Sequence, residues 1–375
     1  MSFKTWITNP DYYYVCGSAV SSFPFPKIVQ FAQSIIGREI REQSMEQEGR
    51  LPDMICGCVG GGSNFIGSIH EFLDEPNIKK IGVMTSGGDS PGMNAAIRSV
   101  ARTCAYHNIE CIGIYRGYEG MIEGDFKVLN ARSVNHIINK GGTFLKSARS
   151  EEFRTKEGRK KAYEQLQKEK IDALVLIGGD GTFTGGMVFN EEFNFPIIGI
   201  PGTIDNDIVG TNYTLGYDTA LNTVVEAIDK IRDTASSHRR LFFVEVMGRD
   251  VGHIALNAGV GSGAEEILVP EEDLGLDRLL ESLEKSKHTG KSSSIVVVAE
   301  GDKTGKNVFE LRDYVEENLE GYDVRVSVLG HMQRGGSPSC FDRVLASRMG
   351  VKAVESLLEG KFNYMVGTVN NKLEL

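Results

Sequence analysis

The sequence predicts an α/β protein built on parallel sheets. Three observations carry this. From about Ile78 onward, short β-rich apolar runs alternate with stretches of helical spacing. Runs such as "ALVLI" (Ala173–Ile177) and "IVVVA" (Ile295–Ala299) are solidly apolar, which suits strands covered on both faces. Glycine-rich, charged loops follow the runs, at the strand ends where open α/β sheets bind ligands.

The elements read in order as follows. Residues 1–77 differ from the rest: an aromatic loop around "DYYYV", a helical stretch, then a break at Gly49-Arg50-Leu51-Pro52. "DMICGCVGGGSNFIGSIHEFLDEP" (Asp53–Pro76) reads as one strand, glycine loop and helix. "IKKIGVMTS" begins the regular part, followed by the turn "GGDSPG" and the helix "MNAAIRSVARTCAYH". "IECIGIY" is the next strand, and "IDALVLIGGDGTFTGG" repeats strand, loop and helix. "FPIIGIPGTIDND" does so again, with the helix "LNTVVEAIDKIRDTASS" after it. "RRLFFVEVMGRD", "SSSIVVVAEGD" and "DVRVSVLGHMQRGG" complete the series.

Composition narrows the classes. A chain of 375 residues that is 41% hydrophobic can bury more than one core. A net charge of −10 argues against nucleic acid or an anionic membrane as partner. The cysteines (Cys16, Cys56, Cys58, Cys104, Cys111, Cys340) are scattered, with neither a C-x-x-C pair nor Cys/His ligand spacing, so no zinc site or disulfide framework is expected. "MSFKTWITNP" lacks a signal-peptide apolar run, and no stretch approaches a membrane span, so a cytoplasmic location is expected. The 44 glycines gather in loops after apolar runs and point to phosphate or nucleotide work.

The loops carry the chemistry. In "TSGGDSPGMNAA" the glycines let backbone N–H groups approach a phosphate, and the following helix offers its N-terminus; a plain tight turn is the alternative. In "LIGGDGTFTGG", Asp180 is placed either to hold Mg²⁺ with substrate phosphates or to cap the next helix. In "PGTIDNDIVG", Asp205 and Asp207 stand one residue apart after a strand. If that stretch stays extended, they face opposite sides, one toward a substrate hydroxyl and the other toward the loop or metal. Phosphoryl transfer needs such a base, a metal and cations. Cations are present as Arg149, Arg154, Arg239, Arg240, Arg249, Arg325, His331 and Arg334, each of which could also be surface charge.

Together these motifs resemble the ATP-dependent 6-phosphofructokinase family in its bacterial form, from about Lys79 to the last residues. The resemblance rests on "GVMTSGGDSPGMNAAIR", "GGTFLKSAR", "LIGGDGT", "PGTIDNDI", "VEVMGR" and "VLGHMQRGGSP", in that order. It implies two doubly wound three-layer (αβα) Rossmann-like subdomains, one of about 78–216 plus 333–375 and one of about 217–332. It implies transfer of the ATP γ-phosphoryl group to the 1-hydroxyl of fructose 6-phosphate. Asp205 would be the base, with Thr203 and Asp207 supporting it. Gly87, Arg149 and Arg249 would stabilise the transferred group. ATP would lie on Gly87, Gly88, Arg149, Arg154, Gly179, Asp180, Gly181 and Thr182, with Mg²⁺ on Asp180. Met247, Gly248, Arg249 and Glu300 would line the sugar, and His331 and Arg334 would hold its 6-phosphate. Arg240 and Arg325 would reach in from a neighbouring subunit, so a homo-oligomer, tetrameric by resemblance, is expected. Pyrophosphate-using relatives typically carry Asp at the position of Gly181 and Lys at that of Gly202; the small residues here suit ATP. An effector site for ADP or phosphoenolpyruvate would use Arg98, Arg102, Arg132, Arg232, Glu265 and Lys291, although Ser292 stands where many members carry a second Lys.

Residues 1–77 resemble instead an internal fragment of the tryptophan synthase β chain, in "EGRLPDMICGCVGGGSNFIGSIHEFLDEP". In that family Gly60, Gly61, Gly62, Ser63 and Asn64 would cradle the phosphate of pyridoxal phosphate. The Schiff-base lysine lies upstream of this segment in that family, and Lys4 and Lys27 stand in the wrong context, so PLP is not expected as a cofactor. The two resemblances meet at equivalent strand–loop points, and the chain reads as spliced. The kinase-like part also ends before the terminal helix usual in the family, whose loss would expose apolar surface. A chimera without catalysis, or a PLP-dependent lyase, are the alternative readings.

Overall fold

The solid apolar runs are strands because their backbone groups pair laterally while both faces are covered. In the computed structural model, residues 18–19, 23–73, 78–235, 240–272, 275–288 and 294–375 are described. The chain divides into two compact units, Met1–Asn77 and Ile78–Leu375.

In the first unit, α1 (Phe25–Glu48) starts beside prolines and stops at Gly49, whose left-handed backbone (φ 69°) lets its N–H cap Met45 O. α2 (Ser63–Leu73) follows the GGGSN loop. The helices cross closely because two glycines face the contact. A Cβ at Gly67 would collide with Gln33 O, and one at Gly37 would lie 2.7 Å from Gly67 O. The strand expected over "DMICGCV" does not form; residues 54–59 have no regular structure. A strand needs a neighbour for its N–H and C=O groups, and the described residues of this unit supply none.

The second unit holds β1 (Lys80–Thr85), α3 (Met93–Tyr106), β2 (Glu110–Ile114), α4 (Gly117–Glu123), β3 (Phe126–Leu129), α5 (Lys156–Lys168), β4 (Ala173–Gly178), α6 (Asp180–Phe193) and β5 (Ile197–Pro201). Then come α7 (Tyr217–Ala235), β6 (Arg240–Val246), α8 (His253–Ser262), β7 (Glu266–Leu268), α9 (Leu276–His288), β8 (Ser294–Ala299), α10 (Val308–Asn318), β9 (Asp323–Val328) and α11 (Cys340–Leu358). It ends with β10 (Tyr364–Met365), β11 (Gly367–Val369) and β12 (Lys372–Glu374).

The first sheet has the order β10-β5-β4-β1-β2-β3 and the second β7-β8-β6-β9. Within these two sheets all pairs are parallel except β2–β3, an antiparallel edge that the alternating pattern did not predict. On one face of the first sheet Ile81, Val83, Val175 and Ile177 meet Ala96, Val100, Met349 and Ala353 of α3 and α11. On the other, Met84, Ile114 and Leu176 meet Met121, Leu166 and Phe189. The second sheet is likewise covered: Phe242, Val244 and Ile295 meet Val224, Ile228, Ile254 and Ala258 of α7 and α8 on one side, and Phe243, Val296 and Val298 meet Leu279, Leu283, Leu311 and Val315 of α9 and α10 on the other. The predicted α/β class with doubly covered sheets is the class observed.

One buried carboxylate joins the lobes built on these two sheets. Asp342, in the first turn of α11, is 0% exposed. It accepts from Gly216 N (2.9 Å), Thr219 N (2.9 Å) and Thr219 Oγ1 (2.5 Å), and so caps α7 as that helix leads into the second lobe. The carboxyl-terminal hairpin β11–β12 packs on residues 210–213, where a Cβ at Gly367 would come within 2.6 Å of Gly210 O.

Candidate active site

Six loops at the carboxyl ends of parallel strands build the site. The loop after β1 docks on β4 through Ser86 N, which donates to Ile177 O (3.1 Å), and Thr182 Oγ1 from α6 donates back to Ser86 O (3.1 Å). Gly178 must be glycine there: a Cβ would collide with Thr182 Oγ1. Gly87 turns with φ 81°, and the N-terminus of α6 opens at Asp180, an exposed carboxylate. Gly87, Gly88 and Gly179 thus lie on two adjoining loops and Asp180, Gly181 and Thr182 in the first turn of α6, where a helix N-terminus can meet an anion; the Thr182 N–H itself is taken by Gly179 O (3.0 Å).

The loop after β5 carries Thr203 and Asp205, 8% and 7% exposed, while Asp207 faces solvent. The two aspartates do part, but not by strand alternation. Asn206 between them takes a left-handed backbone (φ 54°). Its side-chain oxygen accepts from Thr214 N (2.8 Å) and its amide donates to Asn212 O (3.1 Å). Its carbonyl accepts from His253 Nδ1 (3.0 Å). Thr214 Oγ1 donates to Thr203 O (2.6 Å), and Asp205 N to Thr203 Oγ1 (3.2 Å). Asp205 Oδ1 is buried without a hydrogen-bond partner. Burial pushes the Asp205 carboxyl above the usual aspartate range, and the Asp207 and Glu300 carboxylates push the same way. The Arg334 guanidinium and the Thr203 contact oppose them.

Arg334 lies against the first loop. A Cβ on Gly88 would sit 2.6 Å from Arg334 Nη1, and that nitrogen is 3.4 Å from Asp89 O. The glycine therefore makes room for the cation. Beside it, Gln333 is fully buried, accepts from Met247 N (3.2 Å) and donates to Gly330 O (3.1 Å). It ties the Met247–Gly248–Arg249 loop to the turn carrying His331. Arg249, itself left-handed (φ 56°), donates its N–H to Glu300 Oε1 (2.7 Å). Its guanidinium is 75% exposed and pairs with Asp250 at 3.7 Å. His331 and Arg149 are exposed, and Arg154 pairs with Glu151 at 3.3 Å.

Other expected residues lie elsewhere. Arg240 and Arg325 share Asp323 (2.9 and 2.7 Å) toward the amino ends of β6 and β9, the end of the sheet away from this chain's own site. Arg98 and Arg102 line a groove of about 650 Å³ with Tyr106, His107 and Glu355, beside Ala131 and hence next to Arg132. Arg232 instead donates to Ser262 O (2.8 Å) and Gly263 O (3.0 Å) at the end of α8, near the buried Glu265 (3.9 Å). Within one chain the effector set therefore falls into two groups on separate lobes. Lys291, with Ser292, lies outside the described residues, as do Arg239 and Lys4. The two glycines expected to suit ATP also differ. A Cβ at Gly181 meets nothing within 4 Å, whereas one at Gly202 would press on Ile177 and Met93 at 3.2 Å, in the core rather than in nucleotide space. In the first unit, Gly61 O accepts from Ala19 N (2.8 Å) and Ser18 Oγ (3.0 Å), Ser63 and Asn64 open α2, and Lys27 is exposed.

Sequence reasoning passed over Asn206, His253 and Gln333. Each sits inside or beside a quoted motif, but as an uncharged or isolated polar residue, and the contacts His253–Asn206 and Gln333–Met247 join positions 47 and 86 residues apart.

Residues 80–357 match the family described as Phosphofructokinase. The chain is 56% identical over 296 residues to the ATP-dependent 6-phosphofructokinase of Bacillus pumilus, covering 79% of this chain and 91% of that protein. It is 55% identical to ATP-dependent 6-phosphofructokinase 1 of Thermus thermophilus, covering 80% and 92%. The structure of phosphofructokinase from Saccharomyces cerevisiae superposes with a TM-score of 0.76 at 38% identity, over 79% of this chain; the chain spans 44% of that longer one. The loops that gather around Asp205 are those of the matched segment, and the chain belongs to the phosphofructokinase family.

Proposed function

We propose that residues 78–375 transfer the γ-phosphoryl group of ATP to the 1-hydroxyl of fructose 6-phosphate, giving fructose 1,6-bisphosphate and ADP, a step of glycolysis in the cytoplasm. The observation that carries the reading is Asp205: buried, with an acceptor oxygen that has no partner, a raised pKa and the Arg334 cation near it. A base for a sugar hydroxyl needs these properties. Asp205 takes the proton of the 1-hydroxyl as that oxygen bonds to phosphorus and the bond to the ADP oxygen breaks. Thr203 and Asp207 support this end. Gly87 through its N–H, with Arg149 and Arg249, stabilises charge on the transferred group.

Gly88, Gly179, Gly181, Thr182 and Arg154 hold the nucleotide, and the open space at Gly181 favours ATP over pyrophosphate. Asp180 fits Mg²⁺: its carboxylate is exposed at the phosphate end, no ion pair is recorded for it among the described residues, and one carboxylate plus substrate phosphates is a common Mg²⁺ donor set. When bound, that ion would neutralise phosphate charge. Met247, Gly248 and Glu300 border the sugar, and His331 and Arg334 bind its 6-phosphate. Arg240 and Arg325, turned away from their own site, serve a neighbouring subunit in a homotetramer. ADP or phosphoenolpyruvate binds through Arg98, Arg102, Arg132, Arg232, Glu265 and Lys291; because Arg98 and Arg102 lie on a different lobe from Arg232 and Glu265 in one chain, an effector touching both groups would bridge two copies. A non-catalytic chimera and a PLP lyase are not favoured by relatives above 50% identity across this segment.

The test is ADP release from Mg-ATP with fructose 6-phosphate by the full chain and by Asp205→Asn. Removing a general base lowers kcat by roughly 10²- to 10⁴-fold. An unchanged rate in the variant refutes the assignment.

A further inference from the structure

The carboxyl-terminal hairpin β11–β12 is far in sequence from the TIDND loop, yet every polar atom of Thr368 is used on the segment that holds that loop. Thr368 is 3% exposed. Its carbonyl accepts from Asn212 N (2.7 Å), and its N–H donates to Thr211 Oγ1 (3.0 Å). The hydroxyls of Thr211 and Thr368 are 3.1 Å apart. Thr211 already donates its proton to Tyr213 O (2.9 Å), so Thr368 is the donor between them, and Thr368 Oγ1 accepts from Tyr213 N (3.2 Å). Asn370 N adds a bond to Asn212 Oδ1 (3.0 Å).

Residues 212–214 then grip Asn206. Asn212 O accepts its amide at 3.1 Å, and Thr214 N donates to its side-chain oxygen at 2.8 Å. Asn206 sits in the left-handed region, which asparagine tolerates better than other non-glycine residues, and these bonds fix its side chain there. Its neighbours are Asp205 and Asp207. The path from the hairpin to the proposed base is therefore two hydrogen-bonded hand-offs, Thr368 to 211–213 and 212–214 to Asn206.

We propose that the β11–β12 hairpin is a positioning element for the loop bearing Asp205, and that Thr368 is its positioning residue. Thr368 does not touch substrate. Its hydroxyl holds residues 211–213 so that Asn206 keeps its backbone and Asp205 keeps its aim. The inference rests on Asp205 being the base.

The experiment compares Thr368→Val, which keeps shape and main-chain bonds but loses the hydroxyl, with Thr368→Ser, which keeps the hydroxyl. Asp205→Asn is run alongside. In Thr368→Val, kcat falls about tenfold, less than the roughly 10²-fold that a 1 Å misplacement can cost, with KM for both substrates within about twofold. Thr368→Ser recovers most of the rate. A merely structural role would lower Tm without this kcat-only loss and serine rescue. A normal kcat in Thr368→Val beside an inactive Asp205→Asn overturns the positioning role alone. Full activity in Asp205→Asn overturns the base assignment, and this inference with it. Equal losses in the Val and Ser variants also overturn the role of the hydroxyl. If Thr368→Val does not fold, Thr211→Val removes the shared hydroxyl contact from the more exposed side, together with the bonds of Thr211 Oγ1 to Thr368 N and Tyr213 O, and an unchanged kcat there overturns the proposal.

Discussion

Replacing Gly88 by alanine isolates the placement of Arg334. Gly88 lies outside the left-handed region, so alanine imposes no backbone strain there. The new Cβ would stand 2.6 Å from Arg334 Nη1 and 3.2 Å from Cζ. Contact distances of about 3.5–4 Å require the guanidinium to withdraw by roughly 1 Å. A side-chain end can yield that far, so Tm should change little. The cation, however, moves from its place by Asp205 and from the proposed 6-phosphate position. Loss of one charge-assisted contact, at about 1.4 kcal/mol, corresponds to roughly a tenfold rise in KM for fructose 6-phosphate. Arg334 also restrains the raised pKa of Asp205, so the acidic limb of kcat moves to higher pH. The assay is ADP release with each substrate varied in turn across a pH series. An unchanged KM for the sugar phosphate with an unmoved acidic limb refutes the reasoning. A rise confined to KM for ATP would return Gly88 to the nucleotide alone.

Two further outcomes are expected. Gln333→Met fills a similar volume but leaves Met247 N and Gly330 O without their partner at a cost of about 1–3 kcal/mol each. KM for fructose 6-phosphate should rise while KM for ATP holds, and steady-state kinetics with each substrate varied checks this. Burial pushes the Asp342 carboxyl up to about 6, while the three donors that face it pull the other way. Because the folded pKa exceeds the unfolded value, its stabilising contribution is fully present below the unfolded pKa and is lost as pH rises through about 6. With an unfolded pKa near 3.9, the contribution falls by on the order of 1 kcal/mol between about pH 5 and pH 7. Urea unfolding of the native chain and Asp342→Asn at both pH values should show their difference shrinking by that amount; a difference independent of pH would refute it.

Much of the site was legible because its parts are consecutive. A strand, a glycine turn and a helix N-terminus occupy one stretch of sequence, so "TSGGDSPG", "GGDGT" and "PGTIDND" announce their loops. Burial on both faces is equally visible in "ALVLI" and "IVVVA". What escaped depends on partners distant along the chain. The run "DMICGCV" has strand-like composition, yet without a paired neighbour its backbone stays irregular. Gly202 reads like Gly181, but only the fold reveals that its Cβ direction points at Ile177 and Met93. Gln333 looks like filler between His331 and Arg334 until its burial across two loops is seen.

The sequence by itself determined the α/β class, the order of the main parallel strands of residues 78–375 with their glycine loops, and the acids and cations available, because each is encoded by local pattern and short spacing. Only the tertiary structure decided which of those groups meet. Arg334 lies beside Gly88, Asp342 joins two lobes, and Thr368 reaches the TIDND loop through contacts that bring together residues up to 245 positions apart. Close packing selects one such set of long-range contacts, and no short-range pattern records it.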